Sequence, residues 1–143
     1  MSKPLMLNIK STYKLWTGYM KLLANAAGIP DSYRMVLTFL LRHPGASQKE
    51  IAEFRNITTA SVSQIVKEME LTGYLRKETD AKDQRYVNLY LTQKGEDCAE
   101  ELHKRIARAD EDITRLFTPE KESAMIEMLS ELSEIIEKEL PKC

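Results

Sequence analysis

The sequence predicts a mainly α-helical fold with a small β-wing, and three observations carry that prediction. Apolar residues recur at three- and four-residue spacings along most of the 143 residues, the signature of helices with one buried face. Only residues 74–78 and 86–91 are patterned as strands. The breaks between periodic segments fall on Gly, Pro and side chains suited to capping a helix. The length is about one domain's worth, enough for one sizeable core or for a small domain with an attached bundle.

In the first helix Ile9, Tyr13, Trp16, Met20 and Leu23 share a face, and Gly28 and Pro30 stop it. A second helix over residues 31–43 turns Val36, Phe39 and Leu40 inward, and His43-Pro44-Gly45 ends it. Ser47 and Glu50 have the spacing of a capping box, in which hydroxyl and carboxylate each satisfy a free amide at a helix start. The helix they open is short, because Asn56 follows within two turns. Another helix runs from Thr58 to about Leu71, with Val62, Ile65, Val66 and Met69 inward, and Gly73 closes it. In the second strand Val87, Leu89 and Leu91 alternate with Tyr86, Asn88 and Tyr90, as a half-buried strand requires. Beyond Thr92 the chain is helical, with Leu102, Ile106, Ala109, Ile113 and Leu116 in one stripe. Thr118-Pro119 then starts a last helix as N-cap and first residue, and Met125, Met128, Leu129, Leu132, Ile136 and Leu140 line it.

Short helix, tight turn, second helix and hairpin make a helix-turn-helix followed by a wing. Ala52 is small where the two helices cross, and Ile57 anchors the turn. Asn56 tolerates the left-handed backbone the turn needs, and Thr58 caps the second helix. Such a unit presents the start of its second helix to the DNA major groove. On a wheel at about 100° per residue, the arc opposite the buried one holds Ala60, Gln64 and Lys67, flanked by Thr59, Ser61 and Ser63, with Glu68 at the edge. Small polar side chains let a helix seat deeply in a groove. Gln pairs bidentately with adenine, and Ser or Thr reaches bases or phosphates. A plain solvated face would more often show Glu and Lys pairs.

The run SQKEIAEFRNITTASVSQIVKEMELTGYLRKETDAKDQRYVNLYLTQKG, from Ser47 to Gly95, resembles the core of the MarR (multiple-antibiotic-resistance regulator) family of bacterial transcription factors. The resemblance lies in the apolar-Ala-Glu helix, the recognition helix ITTASVSQIVKEME, Gly73-Tyr74-Leu75, the Asp-x-Arg wing and the closing Leu91-Thr92-Gln93-Lys94-Gly95. The flanking helices fit as well. The sequence departs from the family pattern at Asn56, where Gly is usual, and at Arg55, where an apolar residue is usual. The second departure requires Phe54 to turn inward or Arg55 to bury only its stem. Gln64 stands where many members carry Arg, which tilts preference towards adenine, and Gln84 replaces a common second Arg of the wing.

The resemblance implies a fold in three parts. Residues 1–30 give the N-terminal helix of a dimerisation bundle, 31–95 a winged helix-turn-helix DNA-binding domain, and 96–143 C-terminal dimerisation helices. It implies a sequence-specific transcriptional regulator, a repressor relieved by a small-molecule ligand, acting as a homodimer on a palindromic operator in double-stranded DNA. The DNA-binding residues are then Ser47, Thr58, Thr59, Ala60, Ser61, Ser63, Gln64 and Lys67, with Asp83, Gln84 and Arg85 on the wing. Asp83 orients Arg85, which enters a narrow A·T-rich minor groove. As an ordinary exposed turn pair the two would be worth well under about 1 kcal/mol. A small amphipathic or phenolic ligand is implied between bundle and DNA lobe, where Tyr13, Trp16, Met20, Arg34 and His43 lie by position. Aromatic and Met residues at helical spacing are more often core or interface. The alternative reading is a winged-helix module for protein contact without specific DNA binding.

Charge is divided along the chain. Residues 1–45 carry +5, residues 46–95 carry +1 and residues 96–143 carry −7, within a net charge of −1. A basic working end and an acidic end facing elsewhere fit this pattern, as do ordinary solvated surfaces. There is no nucleophile elbow, no phosphate-cradling Gly loop and no His pair with a partner carboxylate, so no catalytic residue or cofactor is expected. His43 and His103 are isolated, so no metal site is expected. Cys98 and Cys143 form no CxxC pair, and the opening residues are too polar for a signal peptide or membrane span. A cytoplasmic, reduced protein is expected.

Overall fold

In the computed structural model, which describes residues 3–141, the elements are α1 (Leu5–Ala26), α2 (Asp31–Arg42), α3 (Gln48–Arg55), α4 (Thr59–Leu71), β1 (Leu75–Thr79), β2 (Val87–Leu91), α5 (Gln93–Thr114) and α6 (Pro119–Glu139). Cys143 lies outside the described residues. The chain divides into two compact units between Ile106 and Ala107, within α5.

In the first unit, local chemistry sets the helix ends. Gly28, at φ +71°, lets the Ile29 N–H reach back to the Ala24 carbonyl (3.0 Å), and Ile29 drops into the core. The capping box at α3 is complete: Ser47 N–H donates to Glu50 Oε2 (2.7 Å) and Glu50 N–H to Ser47 Oγ (3.2 Å). Asn56 takes the left-handed conformation (φ 51°, ψ 47°), and Thr58 Oγ1 accepts the Ser61 N–H at 3.2 Å to open α4.

The core of this unit gathers Val36, Leu37 and Leu40 of α2, Ile51 of α3, Val62, Val66 and Met69 of α4, Leu75, Leu89, Ala99 and Leu102. None of these is more than 2 % exposed. Each fully buried Val, Leu, Ile or Met side chain among them contributes roughly 1.5–3 kcal/mol. Three contacts on one side of α4 therefore fix which face it turns outward. Ala52 is buried at the helix crossing, and Ile57 is half-buried against the core.

The strands pair antiparallel from Leu75↔Leu91 to Thr79↔Val87, each beginning one residue later than its sequence pattern. A third backbone segment joins them: Gly45 N–H donates to Leu89 O (2.8 Å) and Leu89 N–H to Ala46 O (2.9 Å). His43-Pro44-Gly45 thus does more than stop α2, since it leads the chain onto the sheet edge. Gly45 has φ +84°, and a Cβ there would lie 3.0 Å from Tyr90 Oη.

Several expectations are corrected. Val87 is exposed, because the outer end of the hairpin extends past the core and has nothing to cover it. Of the two alternatives at the Arg55 departure, an inward Phe54 is the one that fails. Phe54 is 66 % exposed and lies with its ring 4.9 Å from that of Phe39, while Arg55 is the half-buried residue. On α1 only Met20 and Ala24 are buried, so the expected apolar face is covered only towards its C-terminal end.

In the second unit Thr118 accepts the Lys121 N–H at 3.3 Å and Pro119 takes the first position of α6. No residue of α6 is buried, and Ile113, Leu116, Met125, Met128, Leu129 and Ile136 are exposed. Among the described residues no helix is long and apolar enough to cross a membrane.

Candidate nucleic-acid interface

With Val62, Val66 and Met69 inward, α4 exposes Thr59, Ala60, Ser61, Ser63, Gln64 and Lys67 as one surface. Thr58 is also exposed, but its hydroxyl is engaged by the Ser61 N–H and lies 2.9 Å from Ser61 Oγ. Lys67 is the one cation of α4 (residues 59–71), and Glu68 and Glu70 lie beside its C-terminal part. Ser47 is half-buried, with its hydroxyl committed to the capping box. It lines a shallow cavity of about 400 Å³ with Lys49, Glu50, Glu53, Asp80, Tyr86 and Asn88, which separates the start of α3 from the base of the wing.

The loop over residues 80–86 is built by two carboxylates. Asp80 Oδ1 accepts the N–H groups of Lys82 (2.8 Å) and Asp83 (3.1 Å), and its Oδ2 accepts Asn88 Nδ2 (3.4 Å). The backbone closes beneath it, with Asp80 N–H donating to Tyr86 O at 2.9 Å and Tyr86 N–H to Asp83 O at 3.0 Å. Asp83 Oδ1 then accepts both the N–H of Arg85 and its Nε, each at 3.0 Å, while Oδ2 accepts Nη2 at 2.8 Å. A fork-on-fork pair of this kind fixes the guanidinium plane as well as its position.

Both carboxyls are held below the usual carboxylate range: Asp83 first by the Arg85 side chain, Asp80 first by the Lys82 amide. Arg85 is pushed further above its ordinary value by Asp83. The loop therefore needs neither Gly nor Pro, because Asp80 supplies the turn that those residues would otherwise provide. Asp80 and Asn88 are not among the site residues expected from the sequence. The available signal was an Asp at the first loop position, where its carboxylate reaches amides two and three residues on.

The proposed ligand residues do not gather in one cluster within the chain. Tyr13 and Trp16 stack with ring centroids 5.9 Å apart on the exposed face of α1, and Met20 is buried. Arg34 turns to Asp31 through a 2.9 Å ion pair, and His43 lies at the far end of α2 with its ring 4.6 Å from that of Phe39. Among the described residues no group of three or more His, Cys, Asp or Glu is placed to hold a metal ion. Cys98 is a half-buried free thiol against the core.

Comparison with known proteins places this arrangement. The model of the MarR family matches residues 27–85. The chain is 26% identical over 86 residues to an HTH-type transcriptional regulator of Bacillus subtilis, YwaE; the match covers 60% of this chain and 50% of that protein, so it spans half of the relative's length. Among solved structures it is similar to the MarR family transcription regulator SP03579, with a TM-score of 0.84 at 18% identity, covering 92% of this chain and 89% of that one. It is also similar to the transcriptional repressor CouR bound to a 23-mer DNA duplex, with a TM-score of 0.79 at 22% identity, covering 91% and 92%. The family match runs from the end of α1 through both helices of the turn and stops at Arg85, the residue the wing displays: the winged helix-turn-helix part of the chain matches the MarR family, and the fold is that of MarR transcriptional regulators.

Proposed function

We propose that the chain is a sequence-specific regulator that binds double-stranded DNA, with α4 in the major groove and Arg85 of the wing in the adjacent minor groove. The observation that carries this reading is the pairing of two surfaces. One is a helix face of short hydroxyl side chains around Gln64; the other is a guanidinium clasped by Asp83 yet turned to solvent. Thr59, Ala60 and Ser61 are small enough for the N-terminus of α4, with its partial positive charge, to approach a phosphate. Ser63, Gln64 and Lys67 then lie along the groove, and Gln64 reads adenine. Ser47 and Gln84 flank the two contacts.

One such helix and wing cover a half-site, so the reading includes a homodimer on a palindromic operator. The exposed apolar side chains of α1 and those of α6 are the surfaces a second copy would cover. CouR, similar in fold, is a repressor solved on a duplex, which supports repression here. Release by a small amphipathic or phenolic ligand, with Tyr13, Trp16, Met20, Arg34 and His43 drawn together by dimer formation, completes the reading.

Selection of duplexes from a random pool tests it. The expected winners are palindromes with A·T-rich flanks, bound in the presence of competitor DNA and released steeply by salt. Binding that ignores salt and survives both Arg85→Ala and Gln64→Ala would instead indicate a protein-contact module.

A further inference from the structure

Three consecutive carbonyls at the exit of α4 are taken by one short stretch at the start of α5. Lys94 Nζ donates to Thr72 O at 2.8 Å, Thr92 Oγ1 to Gly73 O at 2.5 Å, and Thr92 N–H to Tyr74 O at 3.1 Å. Thr72 is the C-cap of α4, so its carbonyl has no partner within the helix, and a cation is favoured at that end of the dipole. The Lys94 ammonium also lies 4.3 Å from the centroid of the Tyr74 ring, which meets Tyr33 edge-on at 5.4 Å. The Thr92 hydroxyl works in both directions, since it accepts the Gly95 N–H at 3.2 Å and so opens α5. Gly95 completes the fit: a Cβ there would stand 2.0 Å from Tyr74 O.

We infer that Thr92, Lys94 and Gly95 are positioning residues for DNA recognition, a clamp that sets the orientation of α4 by fastening its exit to the first turn of α5. Core contacts from Val62, Val66 and Met69 fix which face of α4 turns outward. Met69 is the last of these anchors, and the clamp adds a second fastening just beyond it, at the exit of the helix. Lys94 thereby acts on DNA through α4 and not by touching a phosphate. This inference rests on the role proposed above for α4, while the clamp itself is a property of the free protein.

The test compares the full chain with Lys94→Met, which keeps the stem and loses the cation, and with Lys94→Arg, which keeps a donor and a cation over the ring. Affinity is measured on a duplex selected from a random pool by the parent protein, well below the unfolding temperature of each variant. The expected result for Lys94→Met is about a ten-fold loss of specific affinity with the salt slope unchanged. Hydrogen exchange without DNA should show faster exchange at the amides of Thr72, Gly73, Tyr74 and Thr92. Lys94→Arg should recover both. A salt slope reduced by about one would make Lys94 a phosphate contact and overturn the inference. Parent-like exchange in Lys94→Met would overturn it whether or not any duplex is bound. A pool that yields no bound duplex would overturn the DNA-binding reading itself.

Discussion

Arg85 rests on Asp83 through Nε and Nη2, at 3.0 Å and 2.8 Å, yet 86 % of its side chain faces solvent. An ion pair this exposed contributes little to the stability of the fold, and the proposed function gives Arg85 a place in the minor groove. Arg85→Ala should therefore weaken binding to a selected duplex by about ten-fold or more, flatten its salt dependence, and leave the melting temperature close to that of the parent. Parallel melting and DNA titration check this. A large fall in melting temperature would assign Arg85 to the fold.

Asp80 and Asp83 give the wing a pH dependence of definite sign. Both carboxyls are depressed in the folded chain, by the Lys82 amide first for Asp80 and by Arg85 first for Asp83. Their contribution to wing order is thus present above the ordinary carboxylate value and is lost as pH falls through the depressed one. The amide signals of Lys82, Asp83 and Arg85 should shift together on acidification, with midpoints below the ordinary Asp value of about 3.9. Asp80→Ala should disorder the loop at neutral pH and weaken DNA binding with Arg85 still present.

Asn56 is the one described non-Gly residue with positive φ, at 51°. Asn56→Gly should be nearly neutral, whereas Asn56→Val should cost about 1–2 kcal/mol, because its branched Cβ meets the following carbonyl in the left-handed conformation. Urea unfolding of the two variants measures the difference.

Gln64 carries the specificity proposed for α4. Gln64→Ala should relax the choice of base at one position of each half-site, with a discrimination loss of about 1–3 kcal/mol, and Gln64→Arg should move the preference towards guanine. Repeating duplex selection with each variant reads this directly, and unchanged sequence preferences would remove Gln64 from the interface.

The apolar residues left exposed on α6 include Met128 and Leu129, at 62 % and 54 %. Leu129→Glu should convert a sedimenting dimer to a monomer, keep the helical content, and abolish tight operator binding. A parent that sediments as a monomer at micromolar concentration would contradict the homodimer.

Much of the chain's organisation is set by chemistry between near neighbours in sequence, and the sequence by itself determines it. The helices follow from apolar spacing, the start of α3 from Ser47 and Glu50, the turn from Asn56, and the break before α6 from Thr118-Pro119. The outward face of α4 was legible for the same reason, since Val62, Val66 and Met69 recur at helical spacing. The tertiary structure alone decided what depends on distant partners. Gly45 and Ala46 become a sheet edge only because Leu89 lies opposite. Asn88 joins the Asp80 turn across eight residues, and Lys94 reaches Thr72 across twenty-two. Val87 has a sequence pattern suited to burial, but the hairpin outruns the core; of Phe54 and Arg55, only the assembled chain decides that Arg55 takes the half-buried position. Periodicity states which side of an element is apolar; whether another element lies there to cover it is a property of the assembled chain.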